Sequence, residues 1–126
     1  MKTIYQSKVV EVGAQVSLFF WKKKMLVLFN DSAPSDLRDI AVVHQACPLE
    51  DDIAVGDELV IDDQAFKVTF VGAKANQTMK ELGHSTLAFN GAKEADLPGT
   101  ICLEEKKRFR ASMFHHKSYL ENQSKF

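Results

Sequence analysis

Several stretches of this chain alternate apolar and polar residues with the two-residue period of a half-buried strand. Thr3 to Val12 mixes Ile, Tyr and Val with Gln, Ser and Lys and stops at Gly13, which predicts a first strand. Met25 to Phe29 is a fully apolar run of strand length, broken by the turn residues of Asn30 to Pro34. Asp57 to Ile61 and Gln64 to Val71 flank Asp62-Asp63, and Phe66, Val68 and Phe70 alternate with Lys67 and Thr69, which predicts a hairpin with one buried face. Ser85 to Phe89 and Thr100 to Leu103 repeat the pattern, separated by the turn signals Asn90-Gly91 and Pro98-Gly99.

Helical signals are fewer. Ala73 to Leu82 carries helix formers and ends at Gly83, the expected stop of a short helix. Ser35 to Arg38 can form one helical turn with Ser35 as its N-cap. Ala14 to Lys24 places Val16, Leu18, Phe19, Phe20 and Trp21 ahead of three lysines, and its secondary structure stays open. It reads either as a segment covering the core or as a docking surface in which aromatics sit beside charge. The expected fold is mostly β: a small closed or nearly closed barrel with one short helix, and room for a C-terminal helix in the tail. Residues 1–105 form the barrel domain in this reading, and 106–126 form a basic tail with His115 and His116 whose role is open.

One stretch, Asp39 to Pro48, is chemically distinctive. As an extended segment it puts Ile40, Val42 and His44 on one face and Ala41 and Val43 on the other. His44 then sits at the end of an apolar row, with a fixed backbone and water within reach. Two readings follow, a core histidine that hydrogen-bonds inward and an imidazole nucleophile. His84, at the end of the Ala73 to Leu82 helix, is equally open between satisfying the helix end and joining a site.

Charge and composition narrow the functions. Sixteen Lys and Arg against seventeen Asp and Glu give a formal charge of −1, so no whole-protein field draws the chain to nucleic acid or anionic lipid. No apolar run reaches the length of a membrane span, and Met1 to Tyr5 opens without an apolar leader, so direct membrane insertion is not expected and a cytoplasmic location is. Cys47 and Cys102 are expected as free thiols. A zinc site built from His44, Cys47 and His84 lacks the paired spacing such sites use, and a Cys47 nucleophile lacks an assembled triad. None of the six glycines builds a nucleotide-binding loop. No cofactor and no metal are expected. A neutral imidazole remains as a covalent carrier, provided its second nitrogen is held in one tautomer.

The ordered pieces I-Y-Q (Ile4 to Gln6), Gly13, A-P-S-D-L (Ala33 to Leu37), His44, Gly56, V-T-F-V-G (Val68 to Gly72), E-L-G-H-S-T-L-A-F-N-G (Glu81 to Gly91) and L-P-G-T (Leu97 to Thr100) carry a resemblance. Together they resemble the glucitol/sorbitol-specific IIA components of the bacterial phosphotransferase system. That resemblance implies a mostly-β barrel and a cytoplasmic phosphoryl carrier. Such a carrier takes phosphate from phospho-HPr onto a histidine and passes it to the cysteine of a IIB component, for sugar-alcohol uptake through a membrane IIC component. The acceptor falls on His44, and the histidine of L-G-H falls on His84 as a site neighbour. Some relatives have a second histidine where this chain has Ala46. The interface implied is small and transient, below about 1,200 Å², with Val42, Val43 and parts of Phe19 to Trp21 as candidate apolar contacts. A homodimer is left open, and the alternative is a regulatory or protein-binding barrel that has kept the fold without the chemistry.

Overall fold

The computed structural model describes residues 2–62, 64–106 and 119–124. The alternating segments all become strands: β1 (Lys2–Val12), β2 (Met25–Asn30), β3 (Ala41–His44), β4 (Glu58–Ile61), β5 (Gln64–Val71), β6 (Ser85–Ala88) and β7 (Thr100–Leu103), joined by a further strand, β8 (Tyr119–Ser124). They close a barrel in the order β1-β3-β2-β6-β7-β5-β4-β8. Closure gives each of these strands a neighbour on both sides. The β2–β3 and β6–β7 pairs are parallel and the others antiparallel.

β1 is long enough to serve two neighbours. Its first half pairs with β8 and its second half with β3, and register shifts lie between Thr3 and Tyr5 and between Val9 and Glu11. A bulge adds a residue and turns the side chains that follow, which is how Ile4 and Tyr5 are both buried although adjacent. From Tyr5 onward the inward row is Tyr5, Ser7 and Val9.

Inside the barrel Phe89 meets Phe20 and Phe66 edge-on, with ring centroids 5.4 and 5.0 Å apart. Aromatic pairs prefer this arrangement because the positive ring edge faces the negative ring face. Phe20 comes from α1 (Val16–Lys23), the segment whose structure the sequence leaves open. Only Val16 and Phe20, one turn apart, are buried in it, whereas Leu18 and Trp21 are each 55% exposed. Two anchors at helical spacing settle the conformation, and the other apolar residues face solvent. A second cluster, Phe29, Ala33, Ala41 and Val43, lies apart from the main core, so β3 sends Val42 to one cluster and Ala41 and Val43 to the other.

Three expectations change. Ser35 is the first residue of α2 (Ser35–Arg38), and Pro34 holds the N-cap position at φ −61° without a side-chain cap bond. Proline fixes that backbone angle in advance, so the turn forms without a capping hydroxyl. Ile40 does not support His44. Its N–H closes on Leu37 O in the α2 turn and its side chain is 41% exposed, since β3 begins only at Ala41. The boundary expected at residue 105 omits β8, which lies between β1 and β4, while a C-terminal helix in residues 107–118 would fall outside the described residues. In β8, Asn122 is buried, donating to the Asp57 carboxylate at 3.0 Å. His115 and His116 lie outside the described residues. Among the described residues no helix is long and apolar enough to cross a membrane.

Candidate functional site

Val9 pairs with His44 across β1 and β3. Side chains two and four residues before Val9 share its face, so Ser7 and Tyr5 line up beside the imidazole. The chain keeps to β1 after β3 ends: Gln45 N–H donates to Lys8 O and Glu50 N–H to Ile4 O, each at 2.9 Å. This ladder brings three oxygens to His44 Nδ1: Ser7 Oγ at 3.1 Å, the Gln45 carbonyl at 3.1 Å and the Tyr5 hydroxyl at 3.3 Å. Ser7 itself donates to the Gln45 carbonyl at 2.6 Å.

Nε2 faces the opposite way and lies 2.8 Å from the Gly83 carbonyl. Gly83 is the C-cap of α3 (Ala75–Leu82), in the left-handed conformation at φ 58°, with its N–H on Met79 O. A Cβ there would lie 2.7 Å from His44 Cε1 and 2.9 Å from Asn30 Cβ. Glycine is thus required twice, for the backbone angle and for the approach to the ring. The expected access of water to His44 is not found, because this cap folds over the ring and leaves it 0% exposed.

Burial lowers the His44 pKa from 6.5, outweighing the Gly83 and Gln45 carbonyls and the charge of Asp31, which raise it. The resting ring is therefore neutral. A neutral imidazole has one N–H, yet a carbonyl stands at each nitrogen. For Tyr5, burial first and the neighbouring Cys47 second push the hydroxyl pKa well above its ordinary value, so the phenol keeps its proton.

His84 follows Gly83 directly. Its Nδ1–H donates to Leu28 O at 3.0 Å and its ring lies 4.8 Å from that of Phe29. Thr78 fixes its backbone, accepting the His84 N–H at 3.1 Å and donating Oγ1 to the His84 carbonyl at 2.6 Å. The ring is half-buried. With Nδ1 carrying the proton, Nε2 presents its lone pair. A single glycine separates the two imidazoles along this edge of the barrel.

The expected apolar contacts redistribute. Val42 and Val43 are buried and unavailable to a partner, whereas Leu82, beside Gly83, is 40% exposed. Leu18 and Trp21 belong to the other end of β3, where Gly13 N–H bonds to Ala41 O and Gln15 N–H to Asp39 O, roughly 10 Å of strand from His44. Cys47 and Cys102 are free thiols. Among the described residues no group of three His, Cys, Asp or Glu side chains is placed to hold a metal ion. Sequence reasoning missed Tyr5 and Ser7. Their alternate spacing in I-Y-Q-S was visible, but nothing in it told that β1 would lie against β3.

Comparison with known proteins adds the identity of this barrel. Residues 4–116 match the family of glucitol/sorbitol-specific IIA components of the PTS system. The glucitol/sorbitol-specific EIIA components of Escherichia coli K12 and Shigella flexneri are each 34% identical over 101 residues, covering 80% of this chain and 81% of theirs. A PTS IIA component from Enterococcus faecalis V583, known from its crystal structure, shares the fold with a TM-score of 0.78 at 23% identity, over 95% of this chain and 100% of that one. The chain belongs to the glucitol/sorbitol-specific IIA component family of the phosphotransferase system.

Proposed function

We propose that His44 is the residue on which this phosphotransferase component carries its phosphoryl group, taken from phospho-HPr and handed to the cysteine of a IIB partner that serves a sugar-alcohol transporter. The observation that supports this most is the asymmetry of the His44 ring: three oxygens fix Nδ1 from within, while a single glycine peptide covers Nε2. A carbonyl that accepts Nδ1–H leaves the Nε2 lone pair as the nucleophile. In the transfer the Nε2–P bond forms as the donor's P–N bond breaks, and the electron pair of that bond returns to the donor imidazole. Passing the group on reverses the roles, with a thiolate as the attacking atom.

The Gly83 carbonyl occupies the position the phosphorus must take, so the cap has to swing aside before transfer. His84 moves with that cap. In its imidazolium form it would add a second N–H and donate to a phosphoryl oxygen, stabilising charge where it develops. Leu82 gives the partner an apolar contact beside the opening.

Incubation with phospho-HPr should add one phosphate to the intact mass as an acid-labile adduct. His44→Gln should remain unlabelled; labelling of this variant at the wild-type level sinks the proposal. A second reading makes His84 the acceptor, favoured by its half-exposed ring and its Nδ1–H bond to Leu28 O. It predicts the reverse pattern, with His84→Gln unlabelled and His44→Gln labelled.

A further inference from the structure

We infer that Ser7 is a positioning residue that selects the His44 tautomer and so primes the Gly83 peptide to move; the catalytic part of this rests on His44 being the acceptor. A serine hydroxyl has one proton. At 2.6 Å the Gln45 carbonyl takes it, since a carbonyl oxygen can only accept. Toward His44 Nδ1, 3.1 Å away, Ser7 Oγ then offers a lone pair. Gln45 O offers another at the same distance. Two acceptors converge on Nδ1, and a ring nitrogen facing two acceptors is stabilised when it carries the proton.

The consequence falls on the far side of the ring. With the proton on Nδ1, the Nε2 lone pair points at the Gly83 carbonyl 2.8 Å away, and two lone pairs at that distance repel. The alternative tautomer bonds Nε2–H to Gly83 O but turns the Nδ1 lone pair against Gln45 O and Ser7 Oγ, unless Ser7 gives up its short bond. Tyr5, at 3.3 Å, can donate or accept and favours neither. Ser7 therefore tilts the balance toward the nucleophilic tautomer, the same one that loosens the cap. The loosened element is a glycine at φ 58°, the residue type that tolerates a peptide rotation at least cost.

The test reads the tautomer directly. In ¹⁵N-labelled, unphosphorylated protein, at a pH where the ring is neutral, His44 should show a protonated Nδ1 and an unprotonated Nε2. Ser7→Ala should shift the proton toward Nε2, and Ser7→Thr, which keeps the hydroxyl, should restore it. With phospho-HPr as donor, Ser7→Ala should lower kcat roughly tenfold, about what one hydrogen bond supports, at an unchanged KM, and Ser7→Thr should recover the rate. A wild-type ring already protonated on Nε2, or wild-type ring shifts in Ser7→Ala, overturns the inference. Tyr5→Phe, which retains Ser7, should leave the tautomer as in wild type; if it alone shifts the proton, Tyr5 rather than Ser7 is the selector. The ring shifts are measured without phosphate, so they stand or fall separately from His44→Gln labelling, which tests the acceptor assignment.

Discussion

Two histidines flank Gly83 and differ in almost every respect that matters to a nucleophile. His44 has no exposed surface and has a backbone carbonyl at each ring nitrogen, whereas His84 is half-buried, with Nδ1 on the Leu28 carbonyl and its ring against Phe29. Access alone would favour His84. Fixing the ring favours His44, since a strand, three oxygens and a buried floor hold it, and in-line transfer depends on position more than on a deep pocket. With His44 as the proposed acceptor, exposure in a resting state is a poor guide, because one glycine peptide covers the ring.

The largest effect that would break this contrast is the pair of substitutions already named. His44→Gln should abolish the phosphohistidine, whereas His84→Gln should keep it and slow its formation by about 10²-fold, the order expected for losing one donor to developing charge. Intact-mass time courses read both. Equal loss in the two variants would mean that they act as one unit and that the division into acceptor and helper is wrong.

Gly83→Ala comes next. The left-handed backbone costs a non-glycine residue about 1–2 kcal/mol, and the new Cβ, 2.7 Å from His44 Cε1, must push the ring or the cap aside. Denaturant melts should show at least that loss, and the His44 ring signals should move while those of a remote aromatic such as Phe66 stay. An unperturbed His44 would show that the cap is already open in solution.

The smallest effect is the pH response. The folded pKa of His44 lies below the unfolded value of 6.5 because burial disfavours the charged ring. Between those two values the unfolded chain binds a proton that the folded chain does not, so stability rises with pH in that window and falls on acidification from neutrality. The contribution is fully present above 6.5, and its slope reaches at most about 1.4 kcal/mol per pH unit. Thermal melts of wild type and His44→Gln across that range should differ by this slope. Parallel curves would mean that His44 is solvated in the folded state.

Much of the barrel was legible because its signals are local. Period-two alternation marked the strands, and Gly83 marked the end of α3, where its left-handed cap indeed lies. The α1 segment was not legible, since its apolar residues divide between two core anchors and a solvent face, and only the barrel decides which are which. β8 was missed for a related reason: Y-L-E-N-Q-S is polar, and what makes it a strand is the two neighbours that pair with it. At the candidate site, His44 and His84 could be named from type and position. Tyr5, Ser7 and the Gly83 carbonyl could not, because their contacts with His44 span 37 to 39 residues of sequence.

The placement of β8 also bears on how the protein is made. β1 precedes every other strand in the chain, yet its pairing with β8 waits for residues 119–124, the strand that also pairs with β4. Until those residues leave the exit tunnel, β1 and β4 each keep an open edge, and the Asn122 partner of the buried Asp57 carboxylate is missing. The β1–β8 pairing joins residues more than a hundred positions apart, a non-local contact of the kind that slows folding. A nascent chain stalled short of residue 119 should accordingly be captured by chaperones and cut by proteases, whereas a chain that includes residues 119–124 should resist both.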